Sequence, residues 1–304
     1  MFKELIAKTN FPESIKKSMI HSFEKSTSLY GNQIKFFTHP FTPISLTGTN
    51  CELNCKHCNS HYLEHMMDGS KNLYSVAKYL AKTKEGILLS GGCKVDGSVP
   101  SYIFSEEIKK IKLDFNLKIS AHTGIVNMEI AKKLKDYGLD MALVDVIGSD
   151  ETIKEIYGLN RTAEDYDNTL KVLKNANINI APHIIVGLHN STLKGEFKAL
   201  KMVKKYHPKV VVIVVFIPTK GTRGQYLNKP KIEDVISVIT TARNLMDCPI
   251  SLSCVRPGGY YRSMLDKYAI LSGIDRIAVP SKSAYTICKK LGLEIEEKRR
   301  CCSY

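Results

Sequence analysis

A chain of 304 residues that is 43% hydrophobic has room for one large buried core, and no apolar run approaches the roughly 18 residues of a membrane span. The opening MFKELIAKTNFPESIKK lacks the charged-then-apolar order of a secretory leader, so a soluble, cytoplasmic protein is expected. A formal charge of +14 raises nucleic acid as a partner. However, lysines such as Lys109, Lys110, Lys132 and Lys133 lie on helical stretches as a solvated face, and no nucleic-acid motif accompanies them; an acidic protein partner is expected instead.

In chain order, residues 1–30 carry amphipathic helical patterning, and residues 1–40 are expected to form a helical cap on the bottom of the main domain. From Ile44 onward, β-branched runs alternate with helix-length amphipathic stretches, the pattern of β/α units around a parallel sheet. The strands are expected at 44–48, 86–91, 117–124, 141–148, 178–187, 210–218, 250–255 and 276–281. Helical segments are expected at 101–112, 127–137, 161–175, 194–206, 231–246 and 260–272. Eight strands with following helices predict an α/β fold, a complete (β/α)8 TIM-type barrel over residues 41–291. Residues 292–304 read as a charged tail ending KRRCCSY, still part of the same domain.

Barrel enzymes work at the C-terminal ends of their strands. The unusual residues fall there: Cys51, Cys55 and Cys58 after the first strand, Gly91, Gly92 and Cys93 after the second, and His122 after the third. Asp145 and Ser149 close the fourth strand, Gly187 follows the fifth, Pro218–Thr222 the sixth, and Cys254 and Arg256 the seventh. The spacing C-x3-C-x2-C supplies three thiolates to a 4Fe–4S cube and leaves one iron open. A closed zinc site of the same cysteines with His61 is the plainer alternative. Nine cysteines, an odd number, fit a reducing compartment better than a disulfide framework. The run of chemistry-bearing residues along the strand ends favours the cube.

The stretch TGTNCELNCKHC resembles the radical S-adenosylmethionine (SAM) superfamily. The resemblance implies that the open iron binds the amino and carboxylate groups of SAM, whose cleavage yields a 5′-deoxyadenosyl radical. Ser90, Gly91 and Gly92 then resemble the glycine pair beside the SAM amino group, with Cys93 where an acidic residue is common. His57 stands at the usual aromatic position near the adenine. Asp145, in GLDMALVDVIGSDETIKEIYG, is similar to a ribose-binding residue of biotin synthases; the next polar position is Ile147 here, and Ser149 is the candidate substitute. HIIVGL (183–188, with Gly187) and FIPTKGT (216–222) resemble the segments that frame adenine.

Of the remaining cysteines, Cys248 and Cys288 read as core residues. Cys93, Cys254, Cys301 and Cys302 are enough for a second, auxiliary iron–sulfur cluster, if the tail folds back over the barrel opening; a disordered tail is the alternative. SLSCVRPGG resembles the biotin synthase branch, and CCSY is similar to the Arg-Ser-Ser-Tyr of lipoyl synthases. Together with SGGC, these segments resemble the two-component lipoyl synthases. No counterpart of the N-terminal cysteine triplet of ordinary lipoyl synthase is present, so an auxiliary site would be built differently. The resemblance implies sulfur insertion at C6 and/or C8 of an octanoyl chain on a lipoyl carrier protein or domain. Arg256 would be a ligand or would orient the substrate. A paralogous radical SAM subunit and a reductant such as ferredoxin are the implied partners. The rival readings are a single-cluster biotin synthase-like enzyme (a biotin synthase, mutase or lyase) and a non-enzymatic iron–sulfur partner.

Overall fold

The two edges of the central sheet never meet. In the computed structural model, which describes residues 1–304, eleven parallel strands form one curled sheet. They are β1 (Gln33–Phe37), β2 (Thr42–Ser45), β3 (Met67–Asp68), β4 (Gly86–Ser90), β5 (Lys118–His122), β6 (Met141–Asp145), β7 (Ile180–Val186), β8 (Val211–Val215), β9 (Ile250–Leu252), β10 (Arg276–Ala278) and β11 (Glu294–Lys298). Their order is β11-β1-β10-β9-β8-β7-β6-β5-β4-β2-β3.

The eight expected strands are all present, as β2 and β4 to β10, yet they do not close into a complete (β/α)8 barrel. Closure would need β10 beside β2. Instead β10 takes β1, with Lys35 opposite Arg276 and Phe37 opposite Ala278, and β1 takes β11. Both extra strands come from segments expected to be a helical cap and a tail. Pro43 in β2 suits a strand whose outer side is paired only at Ile44 and Ser45. The architecture is therefore an open, curled α/β half-barrel. No helix is long and apolar enough to cross a membrane.

Side chains alternate across each strand, so the sheet has two apolar faces. Outward residues such as Ile87, Ile119, Val144, Ile184 and Ile213 pack beneath the helices in one large core. Inward residues including Phe37, Leu143, Ala181, Val212 and Ala278 form a second cluster inside the curl, which we call the lumen. The same parity turns His122, Asp145 and His183 inward.

The helices follow their local signals. α1 (Phe2–Ala7) and α2 (Glu13–Tyr30) lead the chain, and α2 packs beside α9 near the lower ends of the strands. There Ser22 Oγ donates to the Ser272 carbonyl at 2.6 Å and Ser26 Oγ to Asp275 Oδ1 at 2.6 Å. Along the rest of the chain come α3 (Leu73–Leu80), α4 (Ser105–Phe115), α5 (Met128–Asp136), α6 (Asp150–Thr152, continued by a π turn at Ile153–Tyr157), α7 (Ala163–Asn175), α8 (Glu196–Lys204), α9 (Ile232–Leu245), α10 (Gly259–Ile270) and α11 (Lys282–Leu291). Asn127 caps α5 through Ile130 N–H, and Thr162 with Asp165 forms a capping box on α7.

The tail does not cover the opening. After β11 it turns into the lumen and fills the floor: Cys302 and Ser303 are buried, and Arg276 Nη1 donates to the main-chain oxygens of Cys302 (3.2 Å) and Tyr304 (2.6 Å). Tyr304 lies with Lys118, Met141, Asn179 and Lys209, all at or just before strand N-terminal ends. The tail starts low because β11 lies low beside β1: Arg299, directly after it, sits against Thr83, Lys84 and Glu85, just before the start of β4.

Candidate functional site

The loop after β2 is pinned over the mouth of the lumen by three neighbours. From the β4 loop, Cys93 O accepts Glu52 N–H at 2.9 Å and lies 3.8 Å from Cys51 Sγ. From the π turn, Ile156 O accepts Lys56 N–H at 2.8 Å, and Tyr157 O lies 3.8 Å from Cys55 Sγ. From the β8 loop, Gly224 N–H donates to Lys56 O at 3.0 Å, and Arg223 donates to Asn54 O. Asn59 and Ser60 take positive φ (46° and 62°), which turns the chain directly after Cys58.

Burial pushes the Cys55 thiol up to about 12, and the thiols of Cys58 and Cys51 add to it; Cys58 is raised too, again by burial first. Three thiols that repel as thiolates in a dry loop suit a cationic group that would take up their charge. The shape also fits. Gly92 packs so tightly that a Cβ would sit 2.0 Å from Asn50 O and 2.6 Å from Cys51 Cα. The zinc alternative fits poorly. His61 Nδ1 lies 3.2 Å from Glu64 Oε2, and Cys51, Cys55, Cys58 and His61 do not bring three donor atoms within 4.8 Å of one another. Tetrahedral zinc would draw its sulfurs to about 3.8 Å apart, whereas a cube seats each on a separate iron.

Below this loop lie the residues expected to flank SAM. His57 is held against Tyr157, ring centroids 5.0 Å apart, and its Nδ1 and the Tyr157 hydroxyl are both sealed without partners. Asp145 accepts no hydrogen bond, and its charge acts on His57, Cys58, Cys93, Tyr157 and Tyr166. Orphaned polar atoms around a free carboxylate leave room for a polar ligand. Three expected contacts are already engaged. Gly92 N–H donates to Thr47 Oγ1 at 2.7 Å, so this glycine serves close packing. Ser149 Oγ accepts Thr152 N–H at 3.2 Å as the α6 cap. Gly187 (φ 75°) donates to Glu196 Oε1 at 2.9 Å and abuts Pro230.

The four thiols expected to share a second site fall into two places. Cys93, at the end of the β4 segment, belongs with the mouth: its thiol is raised by burial and then by Cys51 and Cys55. Cys254, Cys301 and Cys302 come together inside the lumen. Burial and then Cys301 raise Cys254, while hydrogen bonding with Cys302 makes Cys301 the more acidic of the tail pair. Around them Ser303 hydrogen-bonds Cys301, Ser251 hydrogen-bonds Cys302 and Ser120 pairs with the Tyr304 hydroxyl, while Arg276 Nε is buried without a partner. Such donors fit a sulfide-bearing inorganic group, whose sulfurs accept hydrogen bonds.

Arg256 has a different task from the one expected. It is fully buried, and its N–H groups go to Asp266 and to the carbonyls of Ser253, Ala278 and Val279. Nothing remains for a ligand. Tyr157, Tyr166 and Glu196 escaped sequence reasoning because each lies in a helix or helical turn whose pattern reads as packing. His183 was readable as the one titratable residue in the run INIAPHIIVG.

The sequence profile described as the radical SAM superfamily matches residues 45–203, over half of the chain. Biotin synthase from Ehrlichia canis (strain Jake) is 32% identical over 217 residues, covering 67% of this chain and 64% of that protein. Biotin synthase from Methanococcus aeolicus is 27% identical over 214 residues, covering 66% and 63%. The chain thus spans just under two thirds of the length of these relatives. Among solved structures, methylornithine synthase (PylB) aligns over 97% of this chain and 93% of its own, with a TM-score of 0.65 at 13% identity. The hydrogenase maturase HydG from Carboxydothermus hydrogenoformans aligns over 91% and 66%, with a TM-score of 0.66 at 16% identity. At these identities the likeness is one of fold.

Proposed function

Since the chain belongs to the radical SAM superfamily, we propose that it inserts sulfur into an unactivated C–H position, at C6 and/or C8 of a protein-bound octanoyl chain. Cys51, Cys55 and Cys58 hold a 4Fe–4S cluster at the mouth. When bound, that cluster and SAM supply one-electron chemistry strong enough to break such a bond. Asp145 offers its free carboxylate to the SAM ribose, and His57 lies on the adenine side. The biotin synthase relatives support sulfur insertion as the class.

One observation carries the finer reading. A second set of thiols, Cys254, Cys301 and Cys302, lies in the lumen, and apart from His122, Asp145 and His183 the wall between the two sets is apolar: Leu88, Leu143, Val212, Val214 and Ile185. An aliphatic chain entering at the mouth is shielded from water there and meets sulfur at its far end. These three cysteines are the candidate holders of an auxiliary cluster. An octanoylated lipoyl carrier is the proposed partner, and its acidic face would meet the exposed Lys220, Arg223, Lys229 and Lys231 of the β8 loop. A paralogous subunit and a ferredoxin-like reductant complete the proposal.

The test is mass spectrometry of an octanoyl-lysyl carrier peptide after anaerobic turnover, with and without a candidate second subunit. A gain of one or two sulfur atoms supports the reading. A rearranged or cleaved peptide without sulfur would instead support a mutase or lyase, the reading favoured by the plain apolar packing of Cys302 against Phe37 and Leu143.

A further inference from the structure

Between the two thiol sets the lumen carries one polar belt, of which the proposed SAM site takes only Asp145. His183 faces inward from β7, and its Nδ1 lies 2.9 Å from the Ala181 carbonyl. A carbonyl only accepts, so the proton is on Nδ1 and the lone pair on Nε2. Nε2 makes no hydrogen bond within the protein and is not among its sealed polar atoms, so the lone pair opens on the lumen. His122 stands beside it from β5, ring centroids 5.4 Å apart, and the Asp145 carboxylate is opposite His183 in the strand register.

Burial, reinforced by His122, depresses His183 to about 4, so the ring is neutral under working conditions. No lysine or arginine is among the charges acting on it. The belt thus presents a lone pair and a carboxylate with no cation nearby. It attracts a neutral N–H or O–H group and repels an ionised carboxylate.

We propose that His183 Nε2 accepts a hydrogen bond from a neutral donor on the substrate, so that the lumen takes amide-linked chains and rejects free acids and esters. The inference rests on the proposed sulfur-insertion chemistry only in taking the lumen as the substrate channel. In the octanoyl case the donor is the amide N–H that joins the chain to its lysine.

The experiment is calorimetric titration of the reconstituted protein with SAM present, using two matched pairs of probes: N-butyloctanamide against butyl octanoate, and N-hexylacetamide against hexyl acetate. Octanoate is the charged control. We expect the amide to bind roughly tenfold more tightly in each pair, the scale of one hydrogen bond, and octanoate to bind weakest. His183→Phe should erase the amide–ester difference, and His183→Gln, which keeps an acceptor, should retain part of it. Equal binding of amide and ester by the unaltered protein overturns the proposal, whatever the variants do. So does octanoate binding as tightly as the amide, or no binding by any probe. An amide preference that disappears in His183→Phe, with no sulfur gained by the octanoyl peptide, upholds the acceptor and sinks only the octanoyl chemistry.

Discussion

Arg256 and Asp266 meet as a two-pronged ion pair with both side chains fully buried, Nε to Oδ1 at 2.9 Å and Nη2 to Oδ2 at 3.0 Å. The pair joins the loop after β9, which carries Cys254, to α10 and the turn after β10. Removing one partner strands a buried charge, so Asp266→Ala should cost about 3–5 kcal/mol. Arg256→Lys should lose much of the same stability, because an ammonium cannot make the fork. Urea unfolding of the anaerobic protein reads both. Unchanged midpoints with an altered cluster spectrum would return Arg256 to a ligand role.

Gly92 supports the mouth in the opposite way, by lacking a side chain. An added methyl at 2.0 Å from Asn50 O must push the cysteine loop aside. Overpacking of this kind costs about 1–3 kcal/mol, and the strain falls on the loop more than on the core. Gly92→Ala should therefore keep its far-UV dichroism while taking up several-fold less iron. Gly258→Ala, whose Cβ meets nothing within 4 Å, is the matched control and should load normally.

The two thiol sets should separate by mutation. Cys302→Ala removes one small buried group of the lumen, at a cost on the order of 1 kcal/mol. It should retain reductive SAM cleavage, lose sulfur transfer, and reduce iron from about eight to about four per chain, since each cube holds four. Cys51→Ala should lose both activities. Iron of about four in the unaltered protein would end the two-cluster reading, and loss of both activities in Cys302→Ala would make the tail a support for the fold.

Much of this architecture was legible because a parallel strand covered on both faces reads as a continuous apolar run, as in VVIVV of β8. The edges were not legible. β11 reads EIEEK, with only Ile295 and Lys298 half-buried, and a charged edge strand looks like a tail until β1 is known to lie beside it. That omission also hid the floor, because the low position of β11 beside β1 decides which end of the lumen Cys301 and Cys302 enter. The cysteine loop stood out by its spacing, but its reading as an open cube rather than a zinc site needed the other residues along the strand ends. The role of Arg256 was not legible, since nothing local in SLSCVRPGG announces Asp266 ten residues on.

His183 makes a last expectation, about acid. Its folded-state value of about 4 lies below the ordinary 6.5, so between those limits the unfolded chain binds more protons than the folded one. Stability contributed by the neutral ring is complete above about pH 6.5 and is lost as the pH falls through 4. The loss is on the order of 3 kcal/mol for this residue. His122, which opposes its protonation, and Asp145, which favours it, are the charges facing it, so Asp145→Asn should steepen the loss. Urea midpoints of the metal-free protein from pH 7 to 4 give the measurement. His183→Phe should flatten the curve without abolishing its slope, because His57 is also depressed to about 4 by burial. A His183→Phe curve parallel to that of the unaltered protein would mean that the ring is already hydrated and charged in the folded state, and the lone pair would then be unavailable to any substrate donor.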